Sequence, residues 1–193
     1  MSTPRIAILA SGNGTNAEHI IQYANNTGHY KVALVLSNKT NAPVLKRAGR
    51  LLTPTFTFTR EMFYNSDIVV NAMKQLEVDF VVLAGFLWLV PKNILSTWPD
   101  KVINIHPSLL PKFGGKGMYG MHVHRAVKEA GETISGITIH LVNEQFDKGD
   151  IIFQETVELS ESDTPEDIAK KVHELEYTYY PKIIDIVLNG EGI

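Results

Sequence analysis

Cysteine is absent from the 193 residues. That excludes a disulfide framework, a thiolate nucleophile and a Cys-ligated zinc site, and it suits a reducing compartment. No run of about 18 apolar residues occurs, so no membrane-spanning helix is expected. The opening Met1-Ser2-Thr3-Pro4-Arg5 lacks the charged, long-apolar and small-residue pattern of a secretory leader. No basic block or stripe appears and the net charge is −3, which argues against a nucleic-acid surface. Three catalytic signatures are missing as well. No Gly-Lys-Ser/Thr closes a phosphate loop, no His-Glu-x-x-His holds zinc, and no Gly-x-Ser-x-Gly forms a nucleophile elbow. His122 and His124 have no carboxylate at metal spacing, so no metal is expected. These absences leave a cytoplasmic protein of ordinary composition, 44% hydrophobic and 20% charged, long enough for one domain over residues 1–193 with a sizeable core.

What is present alternates. Ile6 to Ala10, Val32 to Leu36, Asp79 to Ala84 and Lys101 to Ile103 are short apolar runs of the kind that form strands buried on both faces. Helical spacing intervenes: Ala17, Ile20, Ile21 and Ala24 recur on one face, with Gly28 placed as a C-cap. Further helices are expected from Pro43, from about Arg60 to Leu76 behind a capping Thr59, and from Pro91 to about Thr97. A short strand is expected at Thr55 to Phe58. The order β-α-β-α-β-α-β-α-β predicts an α/β fold with a mostly parallel twisted sheet and helices on both faces. After Pro111 the chain changes character. Four glycines fall in the nine residues from Lys112 to Gly120, the composition of a mobile, lid-like loop. A helix from about His122 to Glu129 follows, then two strands, Ser135 to Val142 and Asp150 to Glu158, as antiparallel additions to the sheet. Thr164-Pro165-Glu166-Asp167 opens a last helix that should end at Gly190.

Two stretches carry chemistry. Asn104-Ile105-His106-Pro107 ends the central strand, because Pro107 stops regular pairing. Residues two apart on a strand share a face, so the Asn104 amide and the His106 imidazole can project into one site. An amide can donate to a developing oxyanion, and an imidazole can carry a proton near neutral pH. A capped strand end with a packed histidine has the same short motif. Ser11-Gly12-Asn13-Gly14-Thr15-Asn16 lies between a strand and a helix, where backbone N–H groups and the helix dipole suit a phosphate; a plain tight βα turn is the alternative. Asp147, beside Gly149 in the loop between the last two strands, is a turn former unless it reaches His106. His140, among Ile137, Ile139 and Leu141, is expected to be a core residue, with a place under the site as the alternative.

Taken together, the motifs resemble the folate-dependent formyltransferases. The likeness is carried by S-G-N-G-T-N at 11–16, S-N-K at 37–39, V-V-L-A-G-F at 81–86, N-I-H-P-S-L-L-P at 104–111, D-x-G-D at 147–150 and E-x-x-x-Y-P at 176–181. It runs close to the full length. The phosphate loop with Glu176 points to the branch that formylates glycinamide ribonucleotide. The length points the same way, with no room for the extra C-terminal domain of methionyl-tRNA formyltransferases or the extra N-terminal one of formyltetrahydrofolate deformylases. The resemblance implies a Rossmann-like single domain, 10-formyltetrahydrofolate as cosubstrate and glycinamide ribonucleotide as acceptor, and it leaves the oligomeric state open. It implies that Asn104 donates to the oxyanion, that His106 is general acid and charge stabiliser, and that Asp147 pairs with His106. It assigns Gly14, Thr15 and Asn16 to the substrate phosphate and Glu176 to the amine end. Arg60, Leu87, Trp88, Leu89, Val90, Asn104 and Asn143 fall on the folate side. Two departures stand out. Leu87-Trp88 occupies the place where many relatives read Met-Arg, and the loop from Gly114 to Met121 is longer than usual. Rival readings are another amine acceptor, hydrolysis of the formyl group, and a nucleotide-binding regulatory module without catalysis.

Overall fold

In β1 (Arg5–Leu9) the side chains alternate between two cores. Ile6 and Ile8 enter one and Ala7 and Leu9 the other, all fully buried. A strand that is apolar on both faces must lie inside a sheet covered on both sides. In the computed structural model, which describes residues 2–190, it does. Seven strands form one sheet in the order β3-β2-β1-β4-β5-β6-β7. β2 (Lys31–Ser37), β3 (Thr55–Thr57), β4 (Phe80–Leu83) and β5 (Val102–His106) run parallel with β1. β6 (Ile134–Leu141) and β7 (Ile151–Glu158) add antiparallel. The strand order reverses between β1 and β4, which opens a crevice at their carboxyl ends.

The helices are α1 (Thr15–Thr27), α2 (Pro43–Arg50), α3 (Arg60–Tyr64), α4 (Ile68–Gln75), α5 (Lys92–Thr97), α6 (Met121–Glu129) and α7 (Pro165–Asn189). α1, α6 and α7 cover one face of the sheet, and α3, α4 and α5 the other. The caps expected at Pro43, Thr59 and Gly28 are in place. Thr164 and Asp167 form a reciprocal capping box at the start of α7, and Gly190 ends that helix in the left-handed region.

One expected helix is two. The span from Arg60 to Leu76 breaks at Asn65-Ser66-Asp67. Short polar side chains compete there with the helical ladder. The Ser66 hydroxyl donates to the Met62 carbonyl at 3.0 Å, and the Asn93 amide donates to Ser66 O at 3.2 Å and to Asp67 at 3.1 Å. The break separates α3 from α4, and Arg60 and Tyr64 of α3 lie beside the segment that follows β4.

α7 matters most for the site. Fully buried Tyr180 donates its hydroxyl to the Leu83 carbonyl at 2.8 Å, which pins the helix to the carboxyl end of β4. One turn earlier, Glu176 accepts from the Asn16 amide on α1 at 3.0 Å.

Candidate active site

The crevice at the carboxyl ends of β1, β4 and β5 is a cleft of about 650 Å³, within the size range of small-molecule sites. Each strand delivers a different chemistry to it.

β1 runs into the loop 11–16. Gly14 sits at φ 77°, and a Cβ there would lie 2.3–2.7 Å from Val44. Only glycine fits that turn. No side chain caps α1, so the N–H groups of its first turn face the cleft unspent. α2 braces the loop: Arg47 pairs with Glu18 and donates to the Asn13 carbonyl at 3.0 Å. Lys39 lines the same cleft.

β4 runs into Gly85 to Val90. The Ser11 hydroxyl accepts from Leu87 N at 3.0 Å and ties this wall to the phosphate-type loop. Leu87, Trp88, Leu89 and Val90 all line the cleft. Trp88 packs edge-on or tilted against Phe58, Phe63, Tyr64 and Phe86 at ring separations of 5.8–6.3 Å.

β5 delivers Asn104 and His106 to the same cleft, as strand period two requires. His106 is 3% exposed, and its Nδ1 stands 3.5 Å from Asp147 Oδ2. Its Nε2 is 2.8 Å from the Phe113 carbonyl; a carbonyl only accepts, so Nε2 carries the proton. Burial lowers the His106 pKa, while Asp147 and the Phe113 carbonyl work against that fall. The Asp147 carboxyl lies below its usual range. Burial pushes it up, but contacts from His140, His106 and the Gly115 N–H outweigh that push. The Gly115 N–H donates to Asp147 Oδ2 at 2.9 Å. The glycine-rich loop therefore contacts both members of the pair through its backbone. Asp147 itself sits at φ 54°, a left-handed conformation that short polar residues tolerate.

His140 is buried, as expected, and it sits under the site. It stands opposite Asn104 in the β5–β6 register. Its Nδ1 is 2.7 Å from the Leu141 carbonyl, so Nδ1 donates; Nε2 accepts when the ring is neutral and donates towards Asp147 when it is protonated. The Asn104 amide nitrogen is 3.2 Å from that Nε2, which fixes the amide orientation and leaves its second N–H for the cleft. Asp147 Oδ1 lies 3.5 Å from the same Nε2. Residue type gave a signal here, but the register that makes it matter is a long-range pairing.

Glu176 is 5% exposed. Burial pushes its pKa up to about 7, against the opposing Asn16 hydrogen bond. His173 Nε2 is 4.0 Å from it. His124, which the reading of the sequence set aside with the loop, also lines the cleft. Burial, with His173 and His106 nearby, pushes the His124 pKa down to about 4.

Most residues singled out in the sequence meet here: Gly14, Thr15, Asn16, Leu87, Trp88, Leu89, Val90, Asn104, His106, Asp147 and Glu176. Arg60 and Asn143 do not line the cleft. Arg60 stacks on the rings of Tyr64 and Trp88, and the Asn143 side chain accepts from Gln145 N at 2.9 Å.

A formyl transferase family model matches residues 4–184. The chain belongs to the formyl transferase family. This formyl transferase is 35% identical to the phosphoribosylglycinamide formyltransferase of Bacillus subtilis, covering 97% of both chains. It is 36% identical to the chloroplastic phosphoribosylglycinamide formyltransferase of Arabidopsis thaliana, over 95% of this chain but only 65% of that longer relative. Among solved structures, the phosphoribosylglycinamide formyltransferase of Bacillus halodurans superposes with a TM-score of 0.84 at 38% identity, covering 95% of each chain. The α/β sheet with antiparallel strands at its end is thus a formyl transferase fold, as the likeness of motifs implied. Among the described residues, no helix of this formyl transferase is long and apolar enough to cross a membrane.

Proposed function

We propose that this enzyme transfers the formyl group of 10-formyltetrahydrofolate to the amine of glycinamide ribonucleotide, giving formylglycinamide ribonucleotide and tetrahydrofolate, in de novo purine biosynthesis. The observation that carries the reading is one cleft holding an uncapped α1 N-terminus, an apolar wall at 87–90 and the Asn104–His106–Asp147 group. An acyl transfer between a phosphorylated amine and a large flat donor needs those three things. On this reading residues 1–193 act as one formyltransferase domain, in the cytoplasm and without a metal.

Gly14, Thr15 and Asn16 offer N–H groups to the phosphate, with Lys39 adding charge. Glu176 takes the amine-bearing end of the acceptor. Leu87, Trp88, Leu89 and Val90, with Gln145, Phe146 and Asp147 of the 143–147 loop, wall the folate, and Arg60 and Asn143 lie outside that wall. The amine nitrogen attacks the formyl carbon, and the carbonyl electrons move onto oxygen. The free N–H of Asn104 donates to that oxyanion. His106 carries the proton that the folate nitrogen needs in order to leave as the C–N bond breaks. The donor is the imidazolium, which Asp147 stabilises; it gives up the Nε2 proton and is left as the neutral ring. Nε2 faces the Phe113 carbonyl, so delivery requires that the loop carbonyl give way to substrate. Asp147 orients His106, stabilises its charged form, and relays the proton lost by the attacking amine through water.

The test is a coupled absorbance assay with purified protein and 10-formyltetrahydrofolate, with and without glycinamide ribonucleotide. Turnover only with both substrates supports the transferase and its acceptor. Turnover without the ribonucleotide makes the protein a deformylase. No turnover in either case removes the assigned acceptor.

A further inference from the structure

On the reading above, the acceptor nitrogen has two protons to lose. An amine beside a carbonyl carbon resembles a chain's α-amino group, which titrates at about pH 8. At neutral pH it therefore arrives mostly as an ammonium. Attack needs a lone pair, so one proton leaves beforehand. A second leaves on attack and ends on the folate nitrogen as its C–N bond breaks, and the product amide keeps the third. Asn104, His106 and Asp147 account for the second proton. The first is released to solvent, and its path is not yet assigned. Glu176 is placed to take it. The carboxylate is buried in the cleft, and beside it Asn16 Oδ1, a buried atom, has no hydrogen-bond partner among the described residues. A carboxylate and an unspent amide oxygen together suit a group with several N–H donors. A buried carboxyl has little contact with water, however, and it must shed the proton before the next turnover.

His173 lies one turn before Glu176 on α7 and lines the same cleft, with Nε2 4.0 Å from Glu176 Oε2. Its side chain is 47% exposed against 7% for that of Glu176, so the imidazole reaches solvent where the carboxyl does not. The gap is longer than a hydrogen bond, but contacts of this kind are often long in unliganded sites and tighten in the complex. Rings hold the imidazole in place. It stacks on Tyr177 at 5.9 Å, and Tyr177 stacks in turn on His19 of α1 at 4.1 Å. His124 of α6 stands edge-on at 6.3 Å. Glu176, Tyr177, His19 and His124 are thus the titratable groups that face His173 from α7, α1 and α6. Burial pushes the His124 pKa down to about 4, so that ring is neutral at pH 7 and does not repel a proton arriving next to it. Burial also raises the Glu176 pKa to about 7 and lowers that of His173. A carboxyl and an imidazole, ordinarily about two pH units apart, are brought towards each other. We propose that His173 takes from Glu176 the proton that the acceptor ammonium yields before attack, and passes it to solvent. The inference rests on the glycinamide ribonucleotide reading above. His173 acts through Glu176, restoring the carboxylate that the next acceptor requires.

The test measures kcat/KM for glycinamide ribonucleotide in the full-length enzyme, with saturating 10-formyltetrahydrofolate, across pH. His173→Gln keeps a polar side chain of similar size that cannot take a proton. At about pH 7 it should lower kcat/KM about tenfold, less than the loss of a complete general base because water carries part of the flow. At about pH 9 the amine arrives already deprotonated, and the variant should come within about twofold of wild type. KM for the folate should change by less than about twofold at either pH. His173→Ala should show the same dependence on pH and regain activity when imidazole is added at about pH 7, whereas wild type should not respond. A loss of equal size at both pH values would overturn the proposal, because a structural role does not follow the protonation of the acceptor. No loss at about pH 7, or a loss in His173→Ala that imidazole leaves unchanged, would overturn it too. A wild-type enzyme that turns over without the ribonucleotide, or not at all, overturns the acceptor reading itself and the proposal with it. Thermal unfolding of each variant identifies loss of fold separately.

Discussion

Glu176→Gln tests what the buried carboxylate costs. The side chain is 5% exposed and its pKa is pushed from 4.5 to about 7 by burial. A carboxyl whose folded pKa is raised binds its proton more tightly in the native state than in the unfolded chain. Its contribution to stability is therefore fully present below about pH 4.5 and is lost as pH rises through about 7. The span from 4.5 to about 7 corresponds to on the order of 3 kcal/mol, at about 1.4 kcal/mol per pH unit. Glutamine keeps the shape and can still accept from the Asn16 amide, which donates at 3.0 Å, but it has no charge to desolvate. Urea unfolding across pH 4 to 9 reads the difference. The variant and the wild type should match near pH 4.5 after allowance for a constant offset. The variant should then gain steadily to about pH 7 and hold its lead above that. The same substitution should weaken binding of the amine acceptor, because the ionised carboxylate is what an ammonium or polarised amine requires. Parallel stability curves for the two proteins across this range would refute the reasoning and mean that Glu176 is solvated or paired in a way its burial denies.

Asp147→Asn should lower kcat/KM by about 10²–10⁴-fold while circular dichroism stays native; wild-type kinetics would remove Asp147 from the proton path. His140→Leu should lower kcat by about ten- to a hundredfold, because the Asn104 amide loses the acceptor at 3.2 Å that sets its orientation. KM should change little, and an unchanged kcat would make His140 a packing residue. Gly14→Ala should destabilise by about 1–3 kcal/mol, because φ 77° and the close approach of Val44 both oppose a Cβ. Val44→Ala in the same protein should recover part of the loss, since some of the clash is with the Val44 side chain. A melting temperature equal to wild type in Gly14→Ala would show that the turn relaxes.

The sheet was legible because parallel strands buried on both faces must be apolar without interruption, and β1, β2 and β4 are written that way. Helix termini were legible where the stereochemistry is local: Gly28, Pro43, Thr59 and the Thr164 capping box each act within one turn. The division of Arg60 to Leu76 into α3 and α4 was not. The apolar pattern continues through it, and the break is held partly by Asn93 from another helix.

The site divides in the same way. Asn104 and His106 could be placed together from the sequence, because two residues one pleat apart on a strand face the same way whatever surrounds them. That Gly14 to Asn16 could receive an anion also followed from a loop entering a helix. Asp147 and His106 are 41 positions apart in sequence, and their 3.5 Å approach depends on how the 143–149 loop folds back over β5. His140 gained its place from the antiparallel register of β6 against β5. Arg60 stacks on Trp88 only once α3 and the segment after β4 have packed. Glu176 is an ordinary carboxylate on an amphipathic helix until α7 packs over α1 and buries it. The sequence by itself determined the strands, the caps and the chemistry available at each strand end, since those rest on periodicity and local stereochemistry. The tertiary structure alone decided which of those groups share a low-dielectric cleft, because burial and distance between remote residues exist only once the layers have packed.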